Sequence, residues 1–421
     1  MRKGTKSILL KKLATFTSEL LIPVDVQIVD GNEALYHTPW PKFGTFGHFA
    51  DTFCNSFTGP NEIYVIFDKY MPGSIKSHER MRRAGGLVPK HHTLSKDTPI
   101  SVRDIIMKSD HNKEQLIKLI CDINHGCPTL HLIGKDQSRF NHEEADVNIV
   151  SYLLLLYEQK NHIQVVADDT DIFVLLVYFV WKIKIATQIS MKKHDGQIIN
   201  INDTVKKLGD KCQALLPLHA ITGCDSVSYP FGKGKVTAVN LLLKKDLQLT
   251  ALCDSNANED DILKAGTHFL VQLYGGDKES DLSTLRYHIF SKNKDPPKIK
   301  SLPPTNIAAA RHIKRAYIQT LIWDAADQMN APDVDLSHFG FKFDVNNIPV
   351  PDYGCTSVAP PDLLKVVACT CKSANPCATN KCSCRAAGLS CTSYCKCDVD
   401  NNCLNENTVS TAPIEEDSDV E

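Results

Sequence analysis

No apolar run in this 421-residue chain is long enough to span a bilayer. The longest, residues 172–181, is closed off by Asp171 and Lys182, so no membrane partner is expected. The basic opening MRKGTKSILLKKLATF is followed by neither a full apolar segment nor a small-residue cleavage site, and a secretory signal is not expected. Excess charge is lacking too. The 47 Lys+Arg against 49 Asp+Glu leave a net charge of −2, so any nucleic-acid surface must be local. Cysteine is sparse before residue 355, with six scattered thiols and no disulfide framework. What is present is ordinary for a soluble globular chain of two or three domains, with 43% hydrophobic and 23% charged residues.

The most informative stretch is 165–176, VVADDTDIFVLL: a buried strand, the acids Asp168, Asp169 and Asp171, and a second apolar run. Three carboxylates in four residues repel one another, and a divalent cation is the usual remedy. The same acids would also suit a turn capping the next helix. Two earlier strands end on acids in the same way. Residues 26–29 (VQIV) lead to Asp30, and residues 62–67 (EIYVIF) lead to Asp68. Acids at strand carboxyl ends fit an α/β sheet with its site there, although Asp also opens turns.

After Asp68, Pro72-Gly73-Ser74 reads as a helix start, and Lys76, Arg80 and Arg83 fall on one helical face. Residues 68–90 carry six Lys or Arg against two acids, which fits either a solvated face or a phosphate-facing gateway. Residues 84–125 read partly as a mobile excursion from the sheet, with a helix over 113–122, and residues 129–133 as a third strand. Glu144 and Asp146 precede the apolar run VNIVSYLLLLY, where acids suit a helix N-terminus; the strand–helix–strand order would also aim them at Asp169 and Asp171. A hairpin is expected around Asp195-Gly196. Residues 215–243 then give a helix, a Gly-Cys-Asp turn ending at Asp225, and Gly232-Lys233-Gly234-Lys235 opening a second helix. Glycines there would let backbone N–H groups approach a phosphate. Residues 306–323 read as a helix that packs on the main domain, with Arg311, Lys314 and Arg315 on a solvated face rather than on a backbone phosphate.

In this order, the motifs resemble the flap endonuclease, XPG-like family of structure-specific 5′ nucleases over roughly residues 20–245. The resemblance implies a PIN-like α/β fold: a parallel sheet flanked by helices, with a helix–two-turn–helix motif. It implies Mg²⁺ or Mn²⁺ ligands at Asp30, Asp68, Glu144, Asp146, Asp169, Asp171 and Asp225, and a catalytic basic pair at Lys76 and Arg83. It also implies DNA contacts at Gly232, Lys233, Gly234 and Lys235. Asp146 stands where the family has a second Glu, and Lys235 where it has Pro. Two hard cations held by carboxylates suit phosphodiester hydrolysis. The expected activity is a two-metal phosphodiesterase acting on flap or branched DNA. The alternatives are a catalytically silent PIN-like binding module and a transposon-associated nuclease.

Cys369, Cys371, Cys377, Cys382, Cys384, Cys391, Cys395, Cys397 and Cys403 give nine thiols in 35 residues. With no secretory signal expected, zinc thiolates in a reducing compartment are the expectation, and nine can serve about three ions if some bridge. The pattern resembles the tesmin-type CXC domain of chromatin proteins, including Cys403-Leu404-Asn405 and the Arg-Ala-Ala-Gly link. That resemblance implies a nuclear location and chromatin proteins as further partners. Lys381 replaces the family's Tyr, and three spacings are longer than usual. Residues 363–405 carry a net +3, which permits contact with a phosphate backbone.

The expected organisation is a basic lead-in (1–22), the nuclease domain (23–248), a helical extension (249–348), a linker (349–368), the zinc module (369–405) and a disordered acidic tail (406–421).

Overall fold

The computed structural model describes residues 7–18, 22–59, 62–71, 73–76, 80, 90–123, 127–277, 281–292, 299–354, 368–399 and 402–408. Arg83, most of the 349–368 link and most of the acidic tail lie outside them. The chain divides into two compact units, Met1–Glu279 with Ala308–Asp352, and Ser280–Ile307 with Tyr353–Glu421. Residues 249–279 and 308–348 of the expected helical extension lie in the first of these units.

The first unit is built on seven strands. These are β1 (Phe16–Thr17), β2 (Val26–Asp30), β3 (Glu62–Ile66), β4 (Leu130–Ile133), β5 (His162–Val166), β6 (Gln188–Lys192) and β7 (Ile198–Asn200). Their order is β1-β7-β6-β5-β2-β3-β4. Strands β4, β3, β2, β5 and β6 are all parallel, and β7 and β1 are added antiparallel at one edge. This mostly parallel sheet flanked by helices is the α/β class expected from the sequence. The β6–β7 hairpin carries Asp195-Gly196 at its turn, also as expected.

The winding order fixes where a site can form. The chain builds outward from β2 through β3 to β4, then returns to the other side of β2 for β5 and β6. Winding reverses between β2 and β5, and the carboxyl ends of strands at such a reversal diverge to leave a crevice. Asp30 ends β2, and Asp169 follows β5 by three residues.

The apolar run at 172–181 lies in the helix Thr170–Ile183, whose residues are buried from Thr170 through Val180. A helix apolar on all sides belongs inside a domain, and each buried aliphatic or aromatic side chain contributes roughly 1.5–3 kcal/mol. On the other side of the sheet, Phe46, Phe49 and Phe53 of the helix Phe46–Asn55 form one core with Ile106, Leu116, Ile117 and Ile120. Part of the expected excursion is thus core: the helices Arg103–Met107 and Asp110–Ile123 both contribute to that cluster. At the head of β2 the chain turns at Gly31, where a Cβ would stand 2.5 Å from the Phe67 ring and 2.9 Å from the Ile66 carbonyl oxygen. Only glycine lets the backbone after Asp30 pass so close to β3.

In the second unit, the nine cysteines Cys369 to Cys403 gather into one cluster, six of them buried. The helix Ser383–Ala386 begins inside it, with Cys382 as its cap.

Candidate active site and cysteine cluster

Three helix N-termini lie at the carboxyl ends of the strands, and each is capped by one of the expected acids. Asp30 Oδ1 accepts from the N–H groups of Asn32 (2.9 Å) and Glu33 (3.2 Å) at the start of the helix Gly31–His37. Asp169 Oδ1 accepts from Asp171 N–H at 2.9 Å, opening the helix Thr170–Ile183. The helix Ala145–Leu156 has no cap bond from its own N-cap side chain, that of Glu144; Asp68 supplies it from β3's end, accepting from Ala145 N–H at 2.7 Å. Of the two readings of these acids, the helix-cap reading is the one seen for Asp30, Asp68 and Asp169. Helix N-termini favour negative charge, and this is what lets so many carboxylates crowd together.

The crowding is electrostatically expensive. Burial, together with Asp68 and Asp169, pushes the Asp30 carboxyl up to about 7. Asp146 is raised well above the usual range, by burial first and then by Asp169, Asp171 and Glu144, against the pull of Lys76. Burial alone would depress Lys76, but Glu144, Asp68, Asp146 and Asp225 together hold its ammonium well above the ordinary value. Its nearest carboxylate oxygen is Glu144 Oε2 at 3.4 Å. Through these pairings the structure joins all seven expected acids and Lys76 in one electrostatic cluster. Asp68, Lys76 and Asp225 line a cleft of about 390 Å³ together with Asn32, Tyr36 and Lys113.

Two of the acids are held from behind by residues that the sequence did not single out. Asp171 Oδ1 lies 2.7 Å from Nε2 of the fully buried His219, whose ring stacks on Trp323. Glu144 receives the indole N–H of Trp323 at 3.2 Å and the amide of Gln319 at 3.5 Å. Both come from the helix Asn306–Asp324, so the expected packing of that segment on the main domain is present, and it forms the back wall of the site. A His in an apolar helix four residues after Leu215 was the one sequence signal for His219; Trp323 left none.

Several basic residues serve structure. Arg80 donates to Asp110 and to Glu143, each at 2.7 Å, and lies over the Tyr70 ring. Arg311 pairs with Asp352, Lys314 with Glu259, and Arg315 is buried against the Gly340 carbonyl. The solvated face expected of these last three is corrected to a set of internal ties. Lys235 is corrected as well. It is 4% exposed, and its ammonium donates to the His219 carbonyl oxygen at 2.5 Å, so its charge points inward. Gly232 is exposed with φ +70°, whereas Gly234 has φ −86° and space for a side chain. Lys233 lies over the Tyr274 ring at 5.9 Å.

In the second unit, four overlapping sets of four cysteines bring their sulfurs within 4.8 Å of one another, and Cys369 and Cys391 each belong to three. Individual Sγ–Sγ separations are 3.5 Å (Cys384–Cys395), 3.6 Å (Cys369–Cys377), 3.7 Å (Cys377–Cys391) and 3.9 Å (Cys369–Cys391). A tetrahedron of thiolates around zinc has edges of about 3.8 Å, and a disulfide holds its sulfurs at about 2 Å. All nine are free thiols.

No family model matches this sequence, and no curated protein matches it either. Among solved structures, the chain is similar to T5 5′-exonuclease with bound divalent zinc ions, at 15% identity and a TM-score of 0.40, over 72% of this chain and 90% of that one. It is similar to a bacteriophage T5 flap endonuclease in a pseudo-enzyme–product complex with DNA and metal ions, at 14% identity and 0.37, over 72% and 93%. It is also similar to the catalytic core of Rad2 in complex with a DNA substrate, at 14% identity and 0.36, over 78% and 86%.

Proposed function

We propose that this protein is a metal-dependent, structure-specific nuclease that hydrolyses phosphodiester bonds in DNA. The observation that carries the reading is the convergence of Asp30, Asp68, Glu144, Asp146, Asp169, Asp171 and Asp225 with Lys76 where the sheet's winding reverses. A single lysine within seven acids leaves a large negative excess, and oxygen donors of this kind suit hard divalent cations. Mg²⁺ or Mn²⁺ held by these acids would polarise the scissile phosphate and make water a stronger nucleophile. Glu144, whose two oxygens face Gln319, Trp323 and Lys76, serves best from behind, by fixing Lys76 and the start of its helix. Lys76, together with Arg83, would bind the phosphate as its charge grows in the transition state.

Backbone N–H groups at Gly232 and Gly234 would hold the duplex by its phosphates, and Lys233, whose own N–H closes the turn on the Pro230 carbonyl oxygen, would add its side-chain charge. Lys235 would support that turn from within. The cysteine cluster would hold about three zinc ions, shared through Cys369 and Cys391, as a CXC-like module that docks the enzyme on DNA or on chromatin proteins in the nucleus. The test is a panel of labelled flap, nicked and single-stranded substrates, in DNA and RNA, with Mg²⁺, Mn²⁺ or chelator. Cation-dependent cleavage of branched DNA is expected. Tight binding with no cleavage under any cation would overturn the enzyme in favour of a silent binding module.

A further inference from the structure

Beside the acidic cluster, three side chains that belong to none of its acids meet at one point. Glu33 and His37 lie four residues apart on the helix Gly31–His37, so they share a face. His194 arrives from the β6–β7 turn, 157 residues after His37 in the chain. His194 Nε2 is 3.6 Å and His37 Nε2 is 3.8 Å from the same oxygen, Glu33 Oε1. The two imidazoles stack with centroids 3.7 Å apart at 26°. All three ligand atoms lie within 4.8 Å of one another.

The carboxylate is held in this orientation from behind. Glu33 Oε2 accepts the Asp168 N–H at 2.8 Å, which turns Oε1 toward the imidazoles. Asp168 Oδ1 in turn accepts the His194 N–H at 3.1 Å, so one residue fixes both the acid and the turn that carries the second histidine. Backbone support of this kind is how ligating carboxylates are usually oriented.

We propose that Glu33, His37 and His194 form a transition-metal site of the two-histidine, one-carboxylate kind, taking Zn²⁺, Co²⁺ or Ni²⁺. Donor atoms around a four-coordinate zinc bound by nitrogen and oxygen stand about 3.4 Å apart. The observed 3.6 and 3.8 Å need only a small contraction, and the stacked rings, whose lone pairs lie in their own planes, must turn to converge on one ion. A salt link between one imidazolium and Glu33 would explain one histidine but not two. Two stacked imidazolium rings repel, whereas two neutral rings offer lone pairs to one cation. Both histidines are open to solvent, with side-chain exposures of 52% and 28%, so an ion can enter and keep water or a substrate oxygen as its remaining ligand. Imidazole nitrogen selects this class of ion over Mg²⁺, so the site is chemically distinct from the all-oxygen cluster beside it.

The experiment uses the full-length protein with its cysteines already saturated with zinc and with excess Mg²⁺ present. Ni²⁺ or Co²⁺ is then titrated and bound equivalents are counted by equilibrium dialysis, with the Co²⁺ d–d spectrum as a second readout. The expected result is one further equivalent that Mg²⁺ does not displace. His37→Ala and His194→Ala should each weaken it at least tenfold, and Glu33→Gln, which keeps the acceptor for Asp168, should do the same. Melting curves accompany each variant, and the exposed His37→Ala decides the matter if Glu33→Gln unfolds. Unchanged binding in both histidine variants, or no further equivalent in the parent protein, would overturn the site. Neither result depends on cleavage activity, so the nuclease reading stands or falls separately.

Discussion

At the scale of single residues, Asp30 makes the most informative test. Its carboxyl is raised to about 7 in the folded protein, so between about pH 4 and pH 7 the native state binds a proton that the unfolded chain has lost. Its contribution to stability is therefore lost as pH rises through that window in cation-free protein. Asp30→Asn keeps the cap on the helix Gly31–His37, because Asn caps as well as Asp. It should raise cation-free stability at pH 8 by on the order of 1–3 kcal/mol and flatten the pH dependence, while abolishing cleavage. Melting curves from pH 4 to pH 8 with and without Mg²⁺ check this; an unchanged pH profile would remove the crowding argument.

Asp171 behaves differently. It is the partner of the buried His219, so Asp171→Ala should abolish cleavage and also lower the melting temperature, by leaving that imidazole without its carboxylate. Lys76→Ala should lower turnover more than substrate affinity. It should also destabilise the protein, since four carboxylates share its charge. A pure loss of affinity with intact single-turnover rate would return Lys76 to a binding role. Why Asp30, Asp68 and Asp169 were visible in the sequence is plain: each sits at a strand's end or a helix's start, and periodicity marks both. The partners of Asp171 and Lys235 were not visible, because they are set by packing between segments 48 and 16 residues away. Lys235 read as a free charge only because sequence spacing carries no information about which way a helix faces.

At the scale of elements, the turn Gly232–Lys235 separates two roles. Gly234 has ordinary backbone angles and no heavy atom within 4 Å of where a Cβ would stand. Gly234→Val should therefore fold with a near-parental melting temperature. If the turn grips a phosphate, duplex affinity should still fall strongly, because the added side chain blocks close approach. The left-handed position in this turn is Gly232, at φ +70°. There a β-branched residue should cost about 1–2 kcal/mol. Lys233→Ala should change the log–log salt dependence of duplex binding by at most roughly 0.9. Lys235→Ala should leave that slope unchanged and lower stability instead. Binding measured at several salt concentrations, paired with melting curves, distinguishes these outcomes; normal duplex binding by folded Gly234→Val would remove the phosphate cradle.

At the scale of the whole molecule, the two units should respond separately to loss of metal. A strong zinc chelator should abolish hydrogen-exchange protection over 368–408, since that unit's core is a cluster of thiols. It should leave the seven-stranded sheet protected. Protection over 368–408 that survives chelation would argue against structural zinc. Strands β2 to β5, the β6–β7 turn and the cysteine cluster were legible from apolar runs and from spacing. The unit boundaries were not, because Ala308–Asp352 joins the first unit through contacts made only after the intervening segment has been passed.

The helix Asn306–Asp324 has a further consequence, one of time rather than place. Its Gln319 and Trp323 reach Glu144, Ser151 O–H donates to the Ala326 carbonyl oxygen, and Asn141 N–H to that of Met329. A ribosome therefore releases all seven acids long before it releases the wall behind them. Until that helix docks, the nascent chain carries the acids without the geometry that steadies Glu144 and Lys76. On the proposed nuclease reading, a newly made molecule would stay inert toward nearby nucleic acid until its synthesis had passed residue 330. A chain ended at residue 305 should accordingly retain every expected metal ligand and yet neither melt cooperatively nor cleave.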